Sequence, residues 1–174
     1  MVKKGLFQSN PTKQIHDQYY TRKSHWEDIQ DFIPRDKIIW EGCMLNSLSK
    51  SPVYLQEMGF DVEWNVDEDI FTQQKRDDSI CVTNIPFAFK KEIFQHLKDI
   101  GQAFILLCPS TCLHTKYFYE IFGKEKIQFI IPSTKRHFDK YADGVKIEQK
   151  DNCSFYTLYI CFKANLENDV NFIK

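Results

Sequence analysis

The chain has 174 residues, 43% hydrophobic and 27% charged, which is enough for one domain with a sizeable core and too little for two. Its formal net charge of −1 excludes the strong positive excess of proteins that hold nucleic acid through phosphate contacts alone. Any nucleic-acid contact must come from a local basic patch or from a partner subunit.

Met1-Val2-Lys3-Lys4-Gly5 is followed by polar residues where a secretory leader needs an apolar run. The longest apolar runs, such as Ala103 to Cys108, are far too short to span a membrane. An intracellular protein, cytoplasmic or nuclear, with no membrane association is expected. Cys81, Cys108 and Cys161 lie inside apolar, strand-like segments, as buried free thiols in a reducing compartment do. Cys108, Cys112 and His114 fall close together, but no second Cys/His cluster at ligand spacing closes a zinc site, and no metal is expected.

Residues 1–16 are polar, contain Pro11 and are expected to form a flexible segment; residues 17–174 are expected to form the single domain. Trp26, Ile29, Phe32 and Ile33 recur at helical spacing and predict a helix from Ser24 to Ile33, ended by Pro34. Lys37 to Trp40 reads as a strand. A helix is predicted from Ser51 to Met58, with Pro52 in its first turn and Gly59 as its stop. Phe60 to Val66 and Ile80 to Thr83 read as strands. Lys90 to Ile100 is an amphipathic helix whose Ile93, Phe94, Leu97 and Ile100 share a face. Ala103 to Cys108 is a buried strand, Thr115 to Phe122 a helix, Ile127 to Ile131 a strand stopped by Pro132, and Ser154 to Phe162 a long aromatic strand followed by a polar tail.

Strands alternate with helices, and several strands are apolar without alternation. That pattern predicts an α/β fold with a mostly parallel sheet covered on both faces. Ligands of such sheets bind at the C-terminal ends of the strands.

One strand end carries a chemical signal, Asn84-Ile85-Pro86-Phe87. The side-chain oxygen of an asparagine and the carbonyl of the next residue can accept both hydrogens of an amino group, which points the nitrogen lone pair outward for attack. Pro86 stiffens the turn and adds no competing donor. Phe87 offers a face on which a flipped base could stack.

This tetrapeptide resembles the Asn/Asp-x-Pro-aromatic motif of amino-methyltransferases, and its Ile-Pro-Phe form is most like that of ribosomal-RNA adenine dimethylases. Other segments are similar to those of small adenine-type methyltransferases of large DNA viruses and phages. Tyr19-Tyr20-Thr21, with Trp26 beyond it, looks like the segment that helps hold the methyl donor. Glu41 and Gly42 stand where the donor loop begins with an acid, and Asp67 and Asp69 where acids meet the donor ribose and adenine. The resemblance implies a Rossmann-like class I methyltransferase fold, S-adenosylmethionine as cofactor, and transfer to an amino group, with adenine N6 in DNA or RNA the substrate. Lys135, Arg136 and His137, a basic cluster after a strand, are candidates for phosphate contacts. The donor loop departs from the family pattern: residues 41–51 hold a single glycine and several bulky side chains. A second expectation is therefore a catalytically degenerate methyltransferase-like scaffold or nucleic-acid-binding subunit that works with a protein partner.

Overall fold

The computed structural model describes residues 19–44, 48–65, 70–74, 76–142, 145–147 and 154–174. The expectations for residues 1–16 and for Asp67 and Asp69 fall outside these. Nine strands are present among the described residues: β1 Ile38–Glu41, β2 Val62–Trp64, β3 Ser79–Asn84, β4 Phe104–Pro109, β5 Ile127–Pro132, β6 Lys140–Ala142, β7 Val145–Ile147, β8 Thr157–Phe162 and β9 Val170–Ile173. Four α-helices accompany them: α1 Lys23–Glu27, α2 Ser51–Glu57, α3 Lys90–Asp99 and α4 Lys116–Phe122.

Seven strands form one sheet in the order β2-β1-β3-β4-β8-β5-β9. Every neighbouring pair is parallel except those made by β8, which runs antiparallel to both β4 and β5. The mostly parallel, Rossmann-like α/β sheet expected from the sequence is therefore present. β6 and β7 make a separate antiparallel hairpin.

The long apolar runs have a simple cause. Each central strand feeds a core on both faces. Ile80, Val82, Ile105, Leu107, Tyr159 and Cys161 point to one side, where they meet Trp26, Ile29 and Ile33 and Leu55 of α2. Cys81, Phe104, Leu106, Cys108, Leu158, Ile160 and Phe162 point to the other, where they meet Ile93, Phe94 and Leu97 of α3 and Ile121 and Phe122 of α4. Period-two alternation with both sides dry is the arrangement of a sheet between two helical layers. Each fully buried Ile, Leu or Phe contributes about 1.5–3 kcal/mol.

Several elements follow their local signals. Pro52 sits in the first turn of α2, and Gly59 after it takes φ +84°, a left-handed conformation that glycine adopts without strain. The Thr115 hydroxyl accepts from the Phe118 N–H at 3.3 Å and caps α4.

Two expectations are corrected. The helix predicted over Ser24 to Ile33 is a short α1 followed by a 3-10 turn at Gln30–Phe32. A spacing of three between Trp26, Ile29 and Phe32 suits that tighter turn as well as an α-helix, and Ile29 breaks the α-helix at φ −115°, ψ 4°. The polar tail contains β9, which extends the sheet beside β5. The β6–β7 hairpin gives no apolar pattern in the sequence. The described cysteines Cys43, Cys81, Cys108, Cys112 and Cys161 are free and buried. No described helix is long and apolar enough to cross a membrane.

Candidate functional site

The chain runs from β1 outward to β2, then returns across β1 to β3 on its other side. The connection from β1 leads to β2 on one side and that from β3 to β4 on the other, so a crevice opens at the C-terminal ends of β1 and β3. The pairing shows where the strands part. β1 and β3 are in register from Ile38↔Ser79 to Trp40↔Cys81; beyond that, Asn84 pairs with Leu107 on the far side.

A cavity occupies this crevice. Tyr19, Tyr20 and Thr21 form one wall, Glu41, Cys43, Ser49 and Ser51 the wall after β1, and Asn84, Ile85, Pro86 and Phe87 the wall after β3. It measures about 470 Å³ with its mouth included, and its inner part is tight, with about 30 Å³ open to the centre of a water molecule.

The N-terminal wall is held from outside. Tyr20 and Asp139 exchange main-chain hydrogen bonds of 2.9 and 2.8 Å. The Asp139 carboxylate receives Arg22 at 2.8 Å and Lys146 at 2.9 Å. These contacts pin residues 19–22 to the segment before β6.

Asn84 has one satisfied arm and one open arm. Its Nδ2 donates to the Tyr19 carbonyl at 3.2 Å. That bond fixes which arm of the amide is nitrogen. The other atom, Oδ1, is buried and has no hydrogen-bond partner among the described residues. Buried polar atoms are ordinarily paired, so an unpaired acceptor on a cavity wall marks a place for an incoming donor.

Glu41 ends β1 and is 3% exposed. Its Oε1 accepts from the Thr83 hydroxyl and from the Cys43 N–H, the latter at 3.1 Å. Burial raises its carboxyl to about 7, against the two hydrogen bonds, which pull it down. A carboxyl poised near neutrality changes charge readily when a cation or donor arrives.

Phe87 is half-buried in an aromatic group. Tyr19 stacks on it with centroids 5.9 Å apart and planes 24° apart, and Phe155 meets it edge-on at 5.0 Å. Lys90 donates to the Phe87 carbonyl at 2.5 Å. The Tyr19 ring thus lies against the face expected to receive a base.

The predicted residues Asn84, Ile85, Pro86, Phe87, Tyr20, Thr21 and Glu41 all meet at this cavity. Gly42 faces elsewhere: a Cβ there would lie 2.9 Å from Cζ2 of Trp40, so the missing side chain makes room for the indole. Trp26 is wholly buried in the core. Lys135, Arg136 and His137 are not part of the cavity wall. Arg136 pairs with Asp28 at 2.7 Å and also donates to the Lys174 carbonyl, and the Lys135 ammonium sits 5.5 Å from the Tyr156 ring centre. The thiols of Cys108 and Cys112 are 3.9 Å apart and buried. No sequence signal marks Thr83 or Phe155, whose partners are distant in the chain.

No protein-family model matches the chain, and no curated protein matches it in sequence. Among solved structures it is similar to an S-adenosylmethionine-dependent O-methyltransferase of Thermotoga maritima, with 14% identity and a TM-score of 0.40 over 95% of this chain and 74% of that one.

Proposed function

We propose that this chain is an S-adenosylmethionine-dependent methyltransferase acting on an amino group, with adenine N6 in DNA or RNA as substrate. The observation that carries the reading is the buried Oδ1 of Asn84, unpaired among the described residues, at the switch point of the sheet. An amino group supplies the hydrogens this oxygen lacks. The Asn-Ile-Pro-Phe turn adds a second acceptor in the Ile85 carbonyl and holds both in place. Glu41, Tyr20, Thr21 and the Ser49 and Ser51 hydroxyls form the donor side of the same cavity. Asp67 and Asp69 complete the donor site in this reading. When bound, the donor supplies an electrophilic methyl group; the residues orient the amine toward it and exclude water. Lys135 and its neighbours Arg136 and His137 are the proposed phosphate contacts.

A degenerate scaffold is the second reading, favoured by the tight inner cavity and by Gly42, whose missing side chain is taken up by Trp40. Thermal denaturation with and without millimolar S-adenosylmethionine separates the two. A donor present at a hundredfold excess over its Kd stabilises the chain by about 2.7 kcal/mol. Transfer of labelled methyl to single-stranded DNA and RNA oligonucleotides, with detection of N6-methyladenine, tests the substrate. A shift that occurs only with a co-purifying protein assigns completion of the site to that partner. No shift and no transfer under any of these conditions leaves the scaffold reading.

A further inference from the structure

We infer that Thr83 is a positioning residue: its hydroxyl, bonded to Glu41, ties the end of β1 to the end of β3 and so fixes the donor side of the cavity against the amine side. The inference rests on the methyltransferase reading above.

The main-chain register between β1 and β3 ends at Trp40↔Cys81. Past that point the strands part and the cavity begins. The Thr83-to-Glu41 hydrogen bond spans the two strand ends there. Thr83 is wholly buried and immediately precedes Asn84, while Glu41 opens the loop on the donor side. The same carboxylate oxygen also receives the Cys43 N–H. One oxygen therefore gathers the strand end that presents Asn84, the strand end that presents Glu41, and the turn that follows. Glu41, 3% exposed, lines the cavity.

Among the described residues, the groups facing Glu41 are the Thr83 hydroxyl, the Cys43 N–H and the Cys81 thiol of β3, which burial keeps protonated. No charged side chain among the described residues bears on it. The Thr83 hydroxyl is thus one of two groups among the described residues that favour its charged form.

Thr83→Val keeps the branched shape and removes the donor; Thr83→Ser restores the donor. The test titrates S-adenosylmethionine into native protein and both variants by calorimetry from pH 6 to pH 9. In parallel, NMR of the Glu41 side-chain carboxyl follows its titration without donor. Thr83→Val is expected to bind the donor about tenfold more weakly near neutrality, to recover as pH rises, and to show Glu41 titrating at higher pH. Thr83→Ser is expected to track the native protein in both readouts. A Thr83→Val protein with native affinity and a native pH profile overturns the inference. If Thr83→Val does not fold, Thr83→Ala, which also removes the donor, replaces it, and native affinity with a native pH profile in that variant overturns the inference equally. If the native chain binds no donor at all, the methyltransferase reading itself fails and the inference falls with it, a result distinct from loss confined to a variant.

Discussion

The Asn84 side chain holds the Tyr19 carbonyl with Nδ2 at 3.2 Å while its Oδ1 has no partner among the described residues. A single amide thus links the N-terminal wall of the cavity to the strand that presents the amine site. Asn84→Ala is expected to reduce kcat/KM by about 10²–10³-fold, the usual cost of losing one preorganised polar group at a reacting centre. Stability should change little, since one neutral hydrogen bond is worth about 1 kcal/mol and the orphaned oxygen leaves with it. Asn84→Asp is expected to fare no better. It sets a carboxylate oxygen against the Tyr19 carbonyl where a donor stood. Native turnover in Asn84→Ala with an unaltered melting curve rules out the amine-site assignment.

Phe87 answers a different question, because its ring already packs against Tyr19 and Phe155. A base can use that face only if Tyr19 moves aside or is itself part of the stack. Phe87→Ala is expected to weaken oligonucleotide binding by about 1–3 kcal/mol, with Phe87→Tyr and Phe87→Trp retaining much of it. Tyr19→Ala should then strengthen binding if the ring blocks the face, and weaken it if the ring joins the stack. If Phe87→Ala lowers the melting temperature and leaves binding alone, the ring is packing and nothing more.

The sheet was legible because its central strands are apolar on both faces, and the α3 helix because Ile93, Phe94 and Leu97 share one side. The edge strand β9 was not. Its Val170 and Phe172 are 47% and 75% exposed, and the residue facing inward is Asn171, whose amide reaches the Phe129 and Asn168 carbonyls. Inward polar and outward apolar residues invert the pattern by which a strand is recognised. The amine site was readable because its residues are contiguous. The bonds that organise it are not: Thr83 meets Glu41 and Asn84 meets Tyr19 only once the sheet brings their segments together.

Arg136 was read from sequence as a phosphate ligand, and its guanidinium is engaged with Asp28 and the Lys174 carbonyl. Its side chain is 19% exposed and that of Asp28 23%. Arg136→Ala is therefore expected to lower stability by about 1–3 kcal/mol, since it strands a half-buried carboxylate. If the basic segment also meets phosphates, Lys135→Ala should reduce the salt dependence of oligonucleotide binding by about one unit of slope without touching the melting curve. An unchanged slope in Lys135→Ala removes this segment from the binding face.

Glu41 and His25 are expected to leave opposite marks on stability as a function of pH. Burial raises Glu41 to about 7 and lowers His25 to about 4. For Glu41 the native state keeps a proton that the unfolded chain has released. Its contribution is fully present below the unfolded value near 4.5 and is lost as pH rises through about 7. For His25 the unfolded chain takes the proton first. Its contribution is present above the unfolded value near 6.5 and is lost as pH falls toward about 4. The two slopes oppose each other in the overlapping window, so the native protein should show a shallow profile there. Replacing one group exposes the other. Glu41→Gln keeps the acceptor for Thr83 and Cys43 but cannot ionise, and it should gain stability relative to the native chain as pH passes from 5 to 8. Urea unfolding of both proteins at intervals across that range measures the difference. A difference that stays flat with pH shows that Glu41 titrates as an ordinary exposed carboxylate, which would also remove the pH arm of the Thr83 experiment.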